Sequence, residues 1–173
     1  GVGLAAPQVG VLRRVVVVMD ISREDLPPEE QIIELVNPEI VKTEGVQKGP
    51  EGCLSIPGIY GIVERPEKVT VRALDRNGNE FEVEGTGLTA RAFCHEIAHL
   101  DGQLYVDIAE RMMTEEELDE YYENGGDKTG SEHDYFEYKY KTALISEVGV
   151  SSYTSWLSKN GMKYVSDWSI ADI

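Results

Sequence analysis

Residues 94–102 read Cys-His-Glu-Ile-Ala-His-Leu-Asp-Gly. A helix turns about 100° per residue, so His95 and His99 lie about 40° apart on one face, one turn above the other. Two imidazoles placed in this way can grip a divalent metal. Glu96 stands beside their face, where it reaches a metal-activated water rather than the metal itself. Lewis-acid activation brings the pKa of such a water toward neutrality, and a neighbouring carboxylate can take its proton and pass it to a leaving amine. This is hydrolytic chemistry. Two ligands do not complete a site, and the third decides which kind of hydrolase it serves.

Several side chains compete for that third position. Cys94 projects about 100° from His95 and about 140° from His99, so one helix cannot present all three to one ion; it reads as a small buried hydrophobe. His133 follows a Gly-rich acidic stretch typical of a surface. Glu115, Glu116, Glu117 and Glu120 lie where helical metalloproteases place a third ligand, although such an acidic run is usually a solvated helix face. Cys53, in Glu-Gly-Cys-Leu-Ser-Ile-Pro-Gly, sits upstream between strands. Cysteine with two histidines makes a three-ligand site with one coordination position open. Spacing alone leaves these alternatives standing.

The elements that must position these groups follow from the local patterns. The opening Gly-Val-Gly-Leu-Ala-Ala-Pro-Gln-Val-Gly is small and Gly-rich, a loop leading into structure. Val15 to Met19 is a β-branched run, most simply a buried strand. Ser22 to Glu30 is a charged, proline-containing surface excursion. Residues 32–41 and 58–74 supply further short strands broken at prolines, and Asn77-Gly78 signals a hairpin between Val69–Leu74 and Glu80–Val83. The period then turns helical, with Thr86 or Thr89 as N-cap and Gly102 as the stop. A metal-binding helix packed centrally against small antiparallel sheets is an α+β fold. From Thr114 the chain becomes acidic and Gly-interrupted and then aromatic-rich. We therefore expect a catalytic domain over 1–113, and an acidic linker with an unassigned C-terminal tail over 114–173.

Composition narrows the class. In 173 residues, 32 acidic side chains face 16 basic ones, a formal net charge of −16. Such a field repels phosphate, which disfavours direct nucleic-acid binding and anionic membranes. The longest apolar run, Val15 to Met19, is far short of the roughly 20 residues that a bilayer requires. Cys53 and Cys94 are too few for a disulfide framework and fit reduced thiols or a metal-bound thiolate.

Three motifs in order, Gly1 to Gln8 (GVGLAAPQ), Glu51 to Ser55 (EGCLS) and His95 to Gly102 (HEIAHLDG), resemble the signatures of the peptide deformylase family. The similarity runs from Gly1 to about Val106. It implies an enzyme that removes the formyl group from the N-terminal methionine of newly made proteins, so the expected partners are N-formylmethionyl nascent polypeptides. It implies one divalent metal held by Cys53, His95 and His99. Ferrous iron would be native and Zn2+ or Ni2+ acceptable, although affinity order alone favours zinc or copper over iron. Glu96 would be the general acid/base, with Gln8 bonding the formyl group or attacking water and the backbone N–H of Leu54 completing the oxyanion site. Leu88 and Val2 would contribute to the methionine pocket, and Gly3 would let the substrate backbone lie close. The family places a few dozen residues, including a helix that packs on the core, before the first motif, whereas this chain opens at the motif. The expected setting is a bacterial-type cytoplasm or an organelle. Two other readings stand beside this one: a metalloprotease cutting internal peptide bonds, and a non-catalytic relic of the fold.

Overall fold

The computed structural model describes residues 2–23 and 25–126. Strands β1 (Gly3–Ala5), β2 (Val15–Met19), β3 (Ile32–Glu44), β6 (Lys68–Leu74) and β7 (Glu80–Thr86) form one antiparallel sheet in the order β1-β2-β3-β6-β7. Strands β4 (Gln47–Cys53), β5 (Ile56–Arg65) and β8 (Arg111–Thr114) form a second, in the order β4-β5-β8. Helix α1 (Gly87–Leu100) packs on β1, β2, β6 and β7, and helix α2 (Glu115–Glu123) packs on β5 and β8. The architecture is the α+β one expected, with antiparallel sheets around the helix that carries the two histidines.

Alternation sets the faces of the larger sheet. Val16 and Val18 of β2 and Val69, Val71 and Ala73 of β6 are buried, and their neighbours in sequence turn the other way. Pairing of Val16 with Leu35 and of Val71 with Val83 brings these residues into one apolar layer. Ala90, Ala92, Phe93, Cys94 and Ile97 of α1 close over it. The helix can lie that close because of Gly85, where a Cβ would fall 2.8 Å from the Phe93 ring and 2.9 Å from Thr89 Cγ2. Burial extends almost around α1, taking in Thr89, Arg91, Glu96 and His99 as well. A helix buried on most sides must find internal partners for every polar group it carries.

Three local expectations are refined. Asn37-Pro38 does not end β3: Asn37 adopts a φ of 51°, the pairing with β6 shifts register after Val36, and the strand continues past the bulge. The β6–β7 hairpin is present, but its turn spans 75–79. Asp75 accepts from the backbone N–H groups of Asn77 and Asn79, and within that turn only Gly78 takes a positive φ. Helix α1 begins after Thr86, whose side chain makes no cap, and a left-handed Gly102 follows its end. Arg14 then ties that end to the larger sheet through Asp101 at 2.6 Å and the Leu100 carbonyl at 3.4 Å.

Helix α2 is capped reciprocally, with the Glu117 N–H donating to Thr114 Oγ1 and the Thr114 N–H to Glu117 Oε2. Its Leu118 joins Ile62 and Met113 in a small second core lined by Tyr60, Tyr121 and Tyr122. His133 and the aromatic-rich tail lie outside the described residues.

Candidate active site

Strand β4 ends at Cys53, where pairing with β5 becomes irregular after Gly52 and a tight turn through Leu54 and Ser55 reverses the chain. That irregularity aims the thiol at α1. Cys53 Sγ lies 3.3 Å from His99 Nε2, and the ligand atoms of Cys53, His95 and His99 all fall within 4.8 Å of one another. The two imidazole rings stand 4.9 Å apart between centroids, nearly perpendicular at 81°. The structure therefore brings together the three residues expected as ligands. Cys94 is buried in the apolar layer as expected. Glu115, Glu116, Glu117 and Glu120 sit on α2, which packs on β5 and β8, and none joins the cluster.

The partners of His95 fix its role. Its Nδ1 lies 3.1 Å from Glu51 Oε2. Burial alone would raise the Glu51 carboxyl, but hydrogen bonds from His95 and Arg65 and the charges of Arg65 and Arg91 outweigh it, bringing it down to about 2. An ionised carboxylate can only accept, so Nδ1 of His95 carries the proton and Nε2 is left for the cluster. Burial would lower His95, yet its bonds to Cys53 and Glu51 raise it to about 9. Burial would likewise raise the Cys53 thiol, and the same imidazoles bring it down to about 5. The Cys53 thiolate and the two imidazoles, with His95 giving up its Nε2 proton to an incoming ion, make a donor set suited to a divalent metal.

Beside the cluster lies Glu96, only 5% exposed. Burial raises its carboxyl to about 7 against the opposing charges of His95 and His99. Among the described residues, its Oε2 is the buried side-chain oxygen with no hydrogen-bond partner. The space around it is made by Gly3, where a Cβ would stand 2.5 Å from both Glu96 Cγ and Oε1. A buried, unpaired carboxyl poised near neutrality beside three ligand atoms fits a site that completes itself with a metal and a reacting molecule.

Gln8 is held by its own loop. Its Oε1 accepts from the Ala5 N–H at 2.8 Å, which turns Nε2 toward Cys53 Sγ at 3.5 Å and Ser55 Oγ at 3.2 Å. Leu54 and Leu88 are exposed apolar side chains, and Val2 packs half-buried against the core. Gly3 was expected to make room for substrate; in the structure the first atoms it accommodates are those of Glu96.

Three participants belong to no chemical motif in the sequence. Arg65 and Arg91 flank Glu51, and Tyr105 stacks on His95 at 5.9 Å and 26° while its hydroxyl donates to the Ile59 carbonyl at 2.7 Å. Only Arg91 left a signal: it precedes His95 by four residues, on the same helical face.

Three side chains able to ligate a metal, beside an unpaired carboxyl, form the arrangement used by metal-dependent hydrolases. The sequence model of the polypeptide deformylase family matches residues 1–115. This chain belongs to that family. It is 58% identical over 119 residues to the peptide deformylase of Caldanaerobacter subterraneus subsp. tengcongensis, covering 69% of this chain and 70% of that protein. It is 58% identical over 120 residues to that of Caldicellulosiruptor bescii, with 69% and 68% covered. Among solved structures, the Acinetobacter baumannii class I type b peptide deformylase bound to Met-Ala-Ser is similar at a TM-score of 0.55 and 40% identity, covering 62% of this chain and 70% of that one. The actinonin complex of the Synechococcus elongatus peptide deformylase is similar at a TM-score of 0.57 and 42% identity, covering 73% and 66%.

Proposed function

We propose that this chain is a peptide deformylase, a hydrolase that removes the N-formyl group from the N-terminal methionine of newly synthesised polypeptides. The observation that carries this reading is the convergence of Cys53, His95 and His99 within 4.8 Å, beside the buried Glu96. These three residues would hold one divalent metal, Fe2+ natively with Zn2+ or Ni2+ as substitutes, which supplies Lewis-acid polarisation of the formyl carbonyl and acidification of water.

The chain's own groups do the rest. Glu96 takes a proton from the attacking water as its oxygen bonds to the formyl carbon, then delivers that proton to the methionine nitrogen as the C–N bond breaks. Formate and a free amine leave. A carboxyl near 7 is matched to both transfers, since it accepts and releases a proton at comparable cost. Gln8 Nε2 and the backbone N–H of Leu54 donate to the oxyanion that develops in between. Leu88 and Val2 wall the methionine side chain, and Gly3 gives the substrate backbone a close approach while leaving Glu96 its room.

We place the catalytic unit in residues 1–113 and treat 114–173 as an appendage; among the described residues, its helix α2 packs on the smaller sheet. No helix among the described residues is long and apolar enough to cross a membrane. A bacterial-type cytoplasmic setting, with nascent chains as partners and no direct nucleic-acid contact, agrees with the bacterial relatives and the acidic charge. Incubation with formyl-Met-Ala-Ser tests the function: release of formate with the peptide bonds intact is expected, and internal cleavage without formate refutes it.

A further inference from the structure

The larger part of the metal cluster comes from α1, and its thiolate comes from the β4–β5 hairpin, so something must fix the distance between these two elements. Arg91 spans it. From α1, its Nη1 donates to Glu51 Oε1 at 2.9 Å, to the Val63 carbonyl at 3.1 Å and to the Gly49 carbonyl at 3.4 Å, and its Nη2 donates to Gln47 Oε1 at 3.4 Å. Every one of those acceptors lies on β4 or β5. The guanidinium is buried, 7% exposed for the residue, and a buried cation satisfied in this way is held to one geometry.

Glu51 converts that grip into an orientation. Its Oε1 accepts from Arg91 Nη1 and from Arg65 Nε at 2.9 Å; its Oε2 accepts from Arg65 Nη2 at 3.0 Å and from His95 Nδ1 at 3.1 Å. With both oxygens filled the carboxylate has no alternative rotation, and the imidazole bonded to it cannot turn its Nε2 away. Arg91, His95 and His99 share a helical face at successive turns, so the cation that holds the carboxylate and the ring that the carboxylate holds move as one body.

Resting on the assignment of Cys53, His95 and His99 as ligands, we propose that Arg91 is a positioning residue for the metal centre. It clamps Glu51 and the β4–β5 hairpin to α1, setting the distance from the thiolate to the imidazoles and presenting Nε2 of His95 to the ion.

The test uses the full chain loaded with Co2+, whose visible absorption reports ligand geometry and whose affinity is read by chelator competition. Arg91→Met is expected to weaken Co2+ binding roughly ten- to hundredfold and to shift the visible bands, as loss of an outer-shell partner does. Arg91→Lys should recover part of the affinity. The double variant Arg91→Met with Glu51→Gln should lose less affinity than the sum of the two single losses, because part of the grip of Arg91 runs through Glu51 and the rest through the β4–β5 carbonyls and Gln47. Arg72→Met, which removes an exposed cation of β6 paired with Glu82, should match the wild type. If Arg91→Met does not fold, Arg91→Gln carries the same expectation. Wild-type affinity and bands in whichever of these folds would overturn the proposal, as would fully additive losses or failure of both variants to fold. Formate release by the wild-type chain is read separately: tight Co2+ binding without any formate would refute the deformylase reading and leave the assignment of Arg91 standing.

Discussion

Replacing Glu96 by glutamine separates the proton-carrying role proposed for this residue from its structural cost. Glu96 is 5% exposed, and burial raises its carboxyl from 4.5 to about 7. At about 1.4 kcal/mol per pKa unit, its ionised form is disfavoured in the fold by about 3 kcal/mol. Because the folded value lies above the unfolded one, this contribution to stability is fully present below about pH 4.5 and is lost as pH rises through 7. Glutamine stays neutral throughout. Its amide brings its own packing cost, but that cost does not vary with pH, and groups common to both proteins cancel in the comparison. Urea unfolding of the metal-free chain at a series of pH values between 4 and 8 should therefore show Glu96→Gln gaining about 3 kcal/mol on the wild type across that interval. In the metal-loaded protein, formate release by the same variant should fall at least about 100-fold, the lower range for loss of a positioned acid/base. Parallel stability profiles would show that Glu96 is not held neutral by burial. Activity within tenfold of the wild type would remove it as the proton carrier.

Other perturbations follow from the same geometry. Glu51 is moved the opposite way, from 4.5 to about 2, so its contribution is present above pH 4.5 and is lost as pH falls toward 2. Glu51→Gln should lower stability at pH 7 by about 3 kcal/mol and flatten the acid limb of the unfolding profile; an unchanged acid limb would contradict the bonds from Arg65, Arg91 and His95. Gly3→Ala would put a methyl group 2.5 Å from Glu96. It should cost about 1–3 kcal/mol in thermal unfolding and reduce kcat at least about tenfold by displacing the carboxylate, with bound metal retained. Unchanged kcat in that variant would mean that the space beside Gly3 does not matter to the reaction.

The parts of this protein that were legible in its sequence are those whose pattern is local. The period of α1, the Val15–Met19 run and the Asn77-Gly78 hairpin each announce an element within a few residues, and the spacing of His95, Glu96 and His99 suggests the metal-assisted hydrolysis proposed for them. Strand β4, Gln-Lys-Gly-Pro-Glu-Gly-Cys, carries no apolar alternation: its buried positions are Gly49 and Glu51, so it resembles a loop although it delivers the thiolate. Strand β8 is too short to show a period, and β3 runs through a proline because a bulge at Asn37 absorbs it. Arg91 was hidden for a related reason. A cation in a helix ordinarily marks a solvated face, and only the long-range carboxylate and carbonyls that surround it reverse that reading.

The central claim, that a thiolate from the β4–β5 hairpin joins two helix-borne imidazoles around a catalytic metal, meets its most direct test in Cys53→Ser. Metal content per chain and formate release from formyl-Met-Ala-Ser are measured on the same purified sample. The account predicts that both collapse together while the fold survives. A Cys53→Ser chain that keeps one metal per molecule and wild-type formate release would contradict it.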